Sequence, residues 1–292
     1  MPYPVTVHPF PSATRWSCAY ERGNANARNA FVYIGGLTGG PQAIDLAQID
    51  EAFRTSKTVS YSIWEFRMRS SYTGFGYSSL ANDADDVASF VKYLRSLGKE
   101  RVVLMGHSTG CQDCMEYSNK EKYSESPAVD GYILLAPVSD REMAGLFIPP
   151  DVLEESVKAA RELIDQGRER EIMPKGSIPE IFQSPVTAYR WYSLAAKGGD
   201  DDFFSSDLPD ERLATTFGRV DKPIMFLPCG EDELVPPNVD RSGLLSRWVT
   251  MCPTGLASPL SDFVPGANHI VSSPDAWAWI AKKVVGFLEA LE

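Results

Sequence analysis

The sequence is poor in histidine, with only three among its 292 residues. Any chemistry that needs an imidazole must therefore use His8, His107 or His269. Cys111 and Cys114 have the spacing of a metal-binding or redox pair, but a zinc site needs two further ligands and no second Cys or His pair exists. We interpret the two cysteines as buried thiols and expect no metal or organic cofactor.

Long apolar runs and positive charge are also scarce. No apolar stretch approaches the roughly 18 residues of a membrane-spanning helix, and the first residues, MPYPVTVHPF, lack the features of a signal peptide. Five cysteines, an odd number, suit free thiols in a reducing compartment. The formal net charge of −11 disfavours nucleic acid as a partner, although solubility is its simpler explanation. We expect a cytoplasmic protein without membrane insertion, and nothing in the sequence indicates its oligomeric state.

Short apolar runs alternate with amphipathic helical patterns along much of the chain. This alternation predicts an α/β fold with a mainly parallel central sheet flanked by helices and an antiparallel lead-in. The rhythm stops after residue 138, where helical patterns occur without a convincing strand. It resumes with a strand at 223–229 and a last strand at 259–266. The predicted division is a core of residues 1–138 and 222–292 and a helical cap segment of residues 139–221.

The pentapeptide GHSTG, residues 106–110, directly follows the apolar run RVVLM and opens a helix. This strand–turn–helix setting is that of a nucleophile elbow, in which a strained serine projects its hydroxyl from the sheet. Side chains at 106 and 110 would collide with neighbouring elements, which explains the two glycines. We favour Ser108 as a nucleophile over an ordinary glycine turn.

A serine hydroxyl needs a base and an acid that orients the base. His269 follows the last predicted strand and is the candidate base, since His107 adjoins the serine and His8 precedes the βα alternation. Asp232 follows the strand at 223–229 and gives the chain order Ser–Asp–His expected of the motif. Its neighbours, Glu231 and Glu233, suit a solvated acidic loop.

Acyl transfer also needs donors for a developing oxyanion. The elbow offers the backbone amide of Thr109, and the glycine-rich loop GGLTGG at 35–40 offers that of Leu37. A plain flexible turn is the alternative for this loop. A phosphate cradle is not, because no Gly-Lys-Ser/Thr follows it.

Over nearly its whole length the chain resembles the α/β-hydrolase superfamily. More specifically, IGGLTGG, GHSTGCQD, TAYRWYSL and GGDDDFFSSDL are similar to segments of a fungal group that includes intracellular siderophore-ester hydrolases. The resemblance implies cleavage of ester bonds in fusarinine-type hydroxamate siderophores, with release of iron inside the cell. Gln112 and Asp113 match the group without a physical role that the sequence explains.

The cap segment has aromatic side chains with two interpretations. Trp191, Tyr192, Phe203 and Phe204 could roof a substrate pocket over the serine or form the small core of the segment itself. Aspartates in the same segment could attract a substrate that carries amino groups or form a solvated loop; they are Asp200, Asp201, Asp202 and Asp207.

The resulting hypothesis is a serine esterase that hydrolyses a fusarinine-type siderophore through an acyl-enzyme. Its partner is a small-molecule ester, and iron would arrive with the substrate. Two alternatives stay open: a serine hydrolase for another acyl ester, a thioester or a small peptide, and a ligand-binding receptor that keeps the fold without turnover.

Overall fold

The computed structural model describes residues 2–15, 17–180, 182 and 184–292. Trp16, which falls in the predicted antiparallel lead-in, lies outside these residues. No helix in the described part of the chain is long and apolar enough to cross a membrane.

A seven-stranded sheet runs through the described residues, in the order β1-β2-β4-β3-β5-β6-β7. The strands are β1 Thr6–Pro9, β2 Cys18–Arg22, β3 Asn29–Ile34, β4 Tyr61–Phe66, β5 Val102–His107, β6 Gly131–Leu135 and β7 Ile224–Leu227. Strand β2 pairs antiparallel with β1 on one side and with β4 on the other. The remaining strands, β4, β3, β5, β6 and β7, are parallel to one another. Every residue of β5 is buried because helices cover both faces of the parallel strands. The predicted fold class and the antiparallel lead-in are confirmed.

Nine α-helices lie in the described ranges. They are α1 Ala47–Thr55, α2 Leu80–Ser96, α3 Gly110–Tyr117, α4 Asp140–Ala144, α5 Pro150–Asp165, α6 Ala188–Ala195, α7 Asp210–Phe217, α8 Arg241–Met251 and α9 Pro274–Glu289. A 3-10 turn spans Tyr72–Gly76. Side-chain caps set two of the boundaries: the Ser79 hydroxyl accepts from the amide of Asn82 at 3.1 Å, and the Ser273 hydroxyl accepts from that of Ala276 at 3.4 Å.

The sheet separates two apolar cores. One core packs helices α2 and α3 against one face and includes the buried side chains of Trp64, Phe90 and Tyr117. The other core packs α1 and α9 against the opposite face and includes Phe31 and Trp277. The carboxyl ends of the parallel strands are thereby fixed at one edge of a rigid layer, where loops can carry a site.

The cap segment does not pack as one unit. Helices α5 and α6 form a third apolar cluster around Trp191, together with Phe75 and Met143. The chain from Phe203 onward joins the α2/α3 core instead, and Phe217 of α7 packs beside Trp248 of α8. The domain boundaries at residues 139 and 221 stay a prediction.

Two elements differ from the sequence-based expectation. Residues 259–266 do not form a strand: the amides of Asp262 and Val264 donate to carbonyl groups of Phe226 and Pro228, at 3.1 and 2.8 Å, but the chain makes only an isolated bridge at Val264. Pro259 and Pro265 flank this segment and lack the amide hydrogens of a regular ladder. Helix α8, in contrast, was not predicted.

Candidate active site

Ser108 occupies the turn between β5 and α3 with a backbone φ of +55°. Left-handed backbone is strained for a residue with a side chain, and it directs the hydroxyl away from the sheet. The flanking glycines have no room for a side chain. A Cβ at Gly106 would lie 2.1 Å from the carbonyl oxygen of Gly110, and one at Gly110 would lie 2.3 Å from that of Ile34. The local sterics are therefore those of a nucleophile elbow.

The three residues selected from the sequence meet in one hydrogen-bonded chain. The Nε2 atom of His269 lies 2.8 Å from the Ser108 Oγ, and its Nδ1 lies 2.9 Å from Oδ2 of Asp232. A carboxylate only accepts, so Nδ1 carries the hydrogen and Nε2 presents its lone pair to the serine hydroxyl. Asp232 is buried and also accepts from the amide of Leu234 at 3.0 Å, which fixes the carboxylate. This arrangement is competent for proton abstraction from Ser108; the catalytic roles themselves stay a prediction.

The other two histidines have different surroundings. The Nε2 of His107 donates to the backbone carbonyl of His269 at 2.8 Å, and the ring is buried. Burial, and secondarily the nearby charge of His269, lowers the pKa of His107 to about 4, so this imidazole is neutral. His8, on β1, lies 3.1 Å from the Tyr93 hydroxyl. Neither contacts the Ser108 hydroxyl through its ring.

The glycine-rich loop lies directly against the serine. A Cβ at Gly36 would be 2.6 Å from the Ser108 Cβ, so only glycine fits there. The loop closes on itself through a bond from the Gly39 amide to the Gly36 carbonyl at 3.0 Å. Among the hydrogen bonds of the described residues, the amides of Leu37 and Thr109 have no acceptor. Both donors are thus available for an oxyanion, although that role stays a prediction.

One residue of the acidic loop has a contact that the sequence did not reveal. The carboxylate of Glu233 accepts from the backbone amide of His269 at 2.8 Å, so it belongs to the surroundings of the candidate base. Glu231 has an exposed side chain, and its amide donates to the carbonyl of Ala267 at 2.9 Å. Glu233 is exposed, as expected for a solvated loop, and in addition holds the backbone of His269.

Beneath the elbow lies a buried polar network that the sequence did not reveal. The guanidinium of Arg190, on α6, donates to Asp201 at 2.7 Å and also faces Asp83 and Asp140. Burial raises the pKa of Asp113 well above its usual range, and the adjacent Asp83 carboxyl raises it further. The raised pKa favours the protonated form of Asp113, which can donate to Asp83.

Gln112 connects this network to the elbow. Its side-chain amide donates to Asp140 at 2.7 Å and to the Val138 carbonyl at 3.1 Å, and the Thr109 hydroxyl lies 3.5 Å from Asp140. Burial raises the pKa of Asp140 to about 8. Gln112 and Asp113 thus acquire a structural role. The signal in the sequence that could have indicated this role was the placement of two polar residues between Cys111 and Cys114, which are both buried.

The aromatic residues proposed as a roof are mostly core side chains. Trp191 is fully buried and its indole donates to the Ser156 hydroxyl at 3.0 Å, while Phe203 is buried in the α2/α3 core. Phe204 is buried too, but it lines a small cavity beside Asp232. Tyr192 is half-buried beneath the Arg161 guanidinium. Trp191 and Phe203 therefore do not roof the serine directly, since other side chains already cover their surfaces.

Neither interpretation of the aspartates fits all of them. Asp201 bonds to Arg190 and to the Ser193 hydroxyl, and Asp202 accepts from the amide of Gly198 at 2.9 Å; both carboxyl groups are buried. Asp207 pairs with Lys197 at 2.9 Å near the surface. The buried pair serves the fold of the segment and offers no free charge to a substrate.

Two small cavities flank the triad. One is lined by Leu37, Thr109, Asp113 and Arg190, and the other by Asp232, Leu234 and Phe204. Each has a volume of about 30 Å³, which is room for one or two water molecules. Leu37 and Leu234 also pack against the cap cluster, so this cluster contacts both the glycine-rich loop and the loop that follows Asp232.

Nearly the whole chain matches one known protein family. Residues 1–289 match the family described as "Protein of unknown function (DUF1749)", and the chain belongs to that family. A relative in Schizosaccharomyces pombe, UPF0613 protein PB24D3.06c, is 32% identical over 90% of this chain and 88% of its own length. The protein named fusarinine C esterase sidJ of Aspergillus fumigatus is 29% identical over 90% of this chain and 89% of its own.

Solved structures confirm the fold. The siderophore hydrolase EstB from Aspergillus fumigatus has a TM-score of 0.82 and 26% identity, and the match covers 99% of this chain and 98% of that one. A soluble variant of monoglyceride lipase from Saccharomyces cerevisiae superposes with a TM-score of 0.60 at 14% identity, covering 100% and 99% of the two chains. The resemblance to the α/β-hydrolase superfamily and to the siderophore-esterase group is therefore confirmed.

Proposed function

We propose that this member of the DUF1749 family is a cytoplasmic serine esterase that hydrolyses ester bonds of a fusarinine-type hydroxamate siderophore. Two observations support the coarser part of the proposal, which is that the chain is a carboxylic ester hydrolase. They are the α/β-hydrolase fold and relatives named esterase and siderophore hydrolase. The siderophore substrate is supported by the names of two of these relatives.

The observation that carries the mechanism is the hydrogen-bonded chain from Ser108 through His269 to Asp232. In the proposed reaction His269 takes the hydroxyl proton while the serine oxygen attacks the ester carbonyl. The tetrahedral oxyanion accepts hydrogen bonds from the Leu37 and Thr109 amides. Buried Asp232 stabilises the imidazolium that forms.

Collapse of this intermediate breaks the bond to the alkoxide, which leaves as an alcohol with the proton from His269. Water then attacks the acyl group on Ser108, with His269 again as the base. The products are the carboxylic acid and the free serine, so no redox partner is required.

The dimensions of the site restrict how a siderophore can bind. A hydroxamate siderophore is many times larger than the two flanking cavities of about 30 Å³ each. Ser108 is half-buried rather than enclosed, so it can be reached from outside. We infer that the scissile ester enters beside the serine while most of the substrate lies outside these cavities, near Leu37 and Leu234, which are only partly buried against the cap cluster.

The mechanism is tested by a fluorophosphonate probe and a p-nitrophenyl ester. Wild-type protein should be labelled at Ser108 and should release p-nitrophenol, and Ser108→Ala should do neither while its unfolding midpoint stays close to that of the wild type. An unlabelled wild-type serine would contradict the mechanism and favour a ligand-binding receptor.

The substrate is tested separately with a panel of esters at equal concentration. Fusarinine-type esters, with and without bound iron, should be hydrolysed with a higher kcat/KM than simple acyl esters, thioesters or small peptides. Higher kcat/KM for one of these other substrates would reject the siderophore while leaving the serine mechanism in place.

A further inference from the structure

The backbone amide and the backbone carbonyl of His269 are each bonded by a residue that adjoins another member of the triad. His107 precedes Ser108 and donates to the carbonyl oxygen of His269 at 2.8 Å. Glu233 follows Asp232 and accepts from the amide of His269 at 2.8 Å. The two turns that carry the nucleophile and the acid thus each also hold the backbone of the base.

This arrangement matters because His269 lies in an irregular loop. Residues 268–272 contain no regular helix or strand, and Val271 has a positive φ of +49°. The neighbouring Ile270 is 59% exposed, so apolar packing around it is incomplete. Within the loop, the amides of Val271 and Ser272 donate to the carbonyl and the side-chain oxygen of Asn268 at 3.0 and 2.8 Å. The position of the loop relative to Ser108 and Asp232 depends on the bonds that it makes to other elements.

We propose that His107 and Glu233 are positioning residues that together clamp the His269 backbone, so that its imidazole stays in reach of both Ser108 and Asp232. This inference rests on the proposed esterase function. It assigns roles to two residues that neither the sequence pattern nor the relatives' names identify.

The chemistry of each bond suits such a role. The carbonyl of His269 only accepts, so His107 must carry a hydrogen on Nε2, and its lowered pKa keeps the ring neutral. The two imidazole rings are 5.3 Å apart, and a neutral His107 does not oppose the positive charge that His269 acquires in the reaction. Glu233 adds a carboxylate, whose bond to an amide is stronger than that of a neutral acceptor.

Glu233 gives the cleaner experiment because its side chain is exposed and its removal leaves the core intact. Glu233→Ala should lower kcat for the p-nitrophenyl ester about 3- to 10-fold and leave KM unchanged. This factor corresponds to the usual free-energy contribution of one hydrogen bond. Glu233→Gln keeps an acceptor oxygen and should recover most of kcat. The matched control is Glu231→Ala, an exposed glutamate two residues earlier, which should behave as the wild type.

His107 is buried, so its variants are chosen to separate folding from positioning. His107→Leu removes the donor and should lower kcat on the order of 10- to 100-fold, since the carbonyl of His269 loses a buried partner. His107→Gln retains a side-chain donor and should be less affected. Rates are expressed per active site titrated with the fluorophosphonate, because a merely structural defect reduces the number of active sites and leaves kcat per site unchanged.

A double-mutant cycle decides whether the two bonds act as one clamp. His107→Leu combined with Glu233→Ala should deviate from the product of the single effects, because both bonds fix the backbone of the same residue, His269. Independent effects, or wild-type kcat per site in Glu233→Ala, would overturn the clamp. A wild-type protein without turnover or labelling would instead reject the esterase proposal, so the two failures are distinguishable.

Discussion

At the scale of single residues, the site depends on places where a side chain is forbidden. Gly36 lies against Ser108 so closely that a Cβ would be 2.6 Å from the serine Cβ and 3.0 Å from its Oγ. Contacts below about 3 Å between carbon atoms are repulsive. The loop that offers the Leu37 amide therefore approaches the nucleophile only because residue 36 is glycine.

This close approach gives a residue-scale prediction. Gly36→Ala should displace the loop from Ser108 and lower kcat at least about 10-fold, as expected when an oxyanion donor is misplaced. The adjacent Gly35 is the matched control, because a Cβ there would have its nearest neighbour at 3.8 Å. Steady-state kinetics of both variants test the idea; equal activities would contradict it.

At the scale of secondary-structure elements, a buried charge network joins the cap segment to the nucleophile helix. Arg190 of α6 faces carboxyl groups from α2 and α4 and from the segment after α6, while Asp113 of α3 lies beside Asp83. Among the residues that face this network in the described chain, Arg190 is the cation. Its guanidinium offsets the cost of burying several carboxyl groups together.

Loss of this cation should therefore be costly. Arg190→Met preserves much of the side-chain volume but leaves the carboxyl groups unpaired, and we expect a loss of about 3–5 kcal/mol in the free energy of unfolding. Arg161→Met is the control: this arginine lies on α5, is 56% exposed and pairs with Asp165 at 2.9 Å. Urea denaturation measures both, and similar midpoints would show that the network does not stabilise the cap.

At the scale of the whole molecule, buried acids make stability depend on pH. Burial raises the pKa of Glu65, on β4, from 4.5 to about 7, although its carboxylate accepts from the Gln42 amide at 2.8 Å. The folded state then holds a proton that the unfolded state releases. The stabilising contribution is complete below pH 4.5 and is lost as the pH rises through about 7.

Glu65→Gln should remove this dependence, since its amide oxygen can still accept from Gln42. Between pH 4.5 and 8 the free energy of unfolding of the variant should fall by up to about 3 kcal/mol less than that of the wild type. His107 acts in the opposite direction, because its pKa is lowered to about 4. The difference between the variant and wild-type curves isolates Glu65, with exposed Glu231→Gln as control; parallel curves would refute the assignment.

The sequence alone determined the features that depend on neighbours in the chain. The elbow at Ser108 follows from glycines at fixed offsets after an apolar strand, and local sterics allow few other conformations. With three histidines available, chain order was enough to select His269 and Asp232, which the structure brings together. Alternating apolar runs likewise specified a mainly parallel sheet.

Only the tertiary structure decided which polar side chains are buried and which partners they have. Glu233 and Asp201 both look like members of solvated acidic loops. Glu233 is exposed but bonds to the His269 amide, whereas Asp201 is buried against Arg190. From the sequence, Trp191 suited a substrate roof and a core position equally well, and the structure buries it in a core. These outcomes depend on contacts between distant segments, and a residue type by itself does not specify its partner. Residues 259–266 had strand composition, but the prolines at 259 and 265 and an isolated bridge to β7 left them irregular.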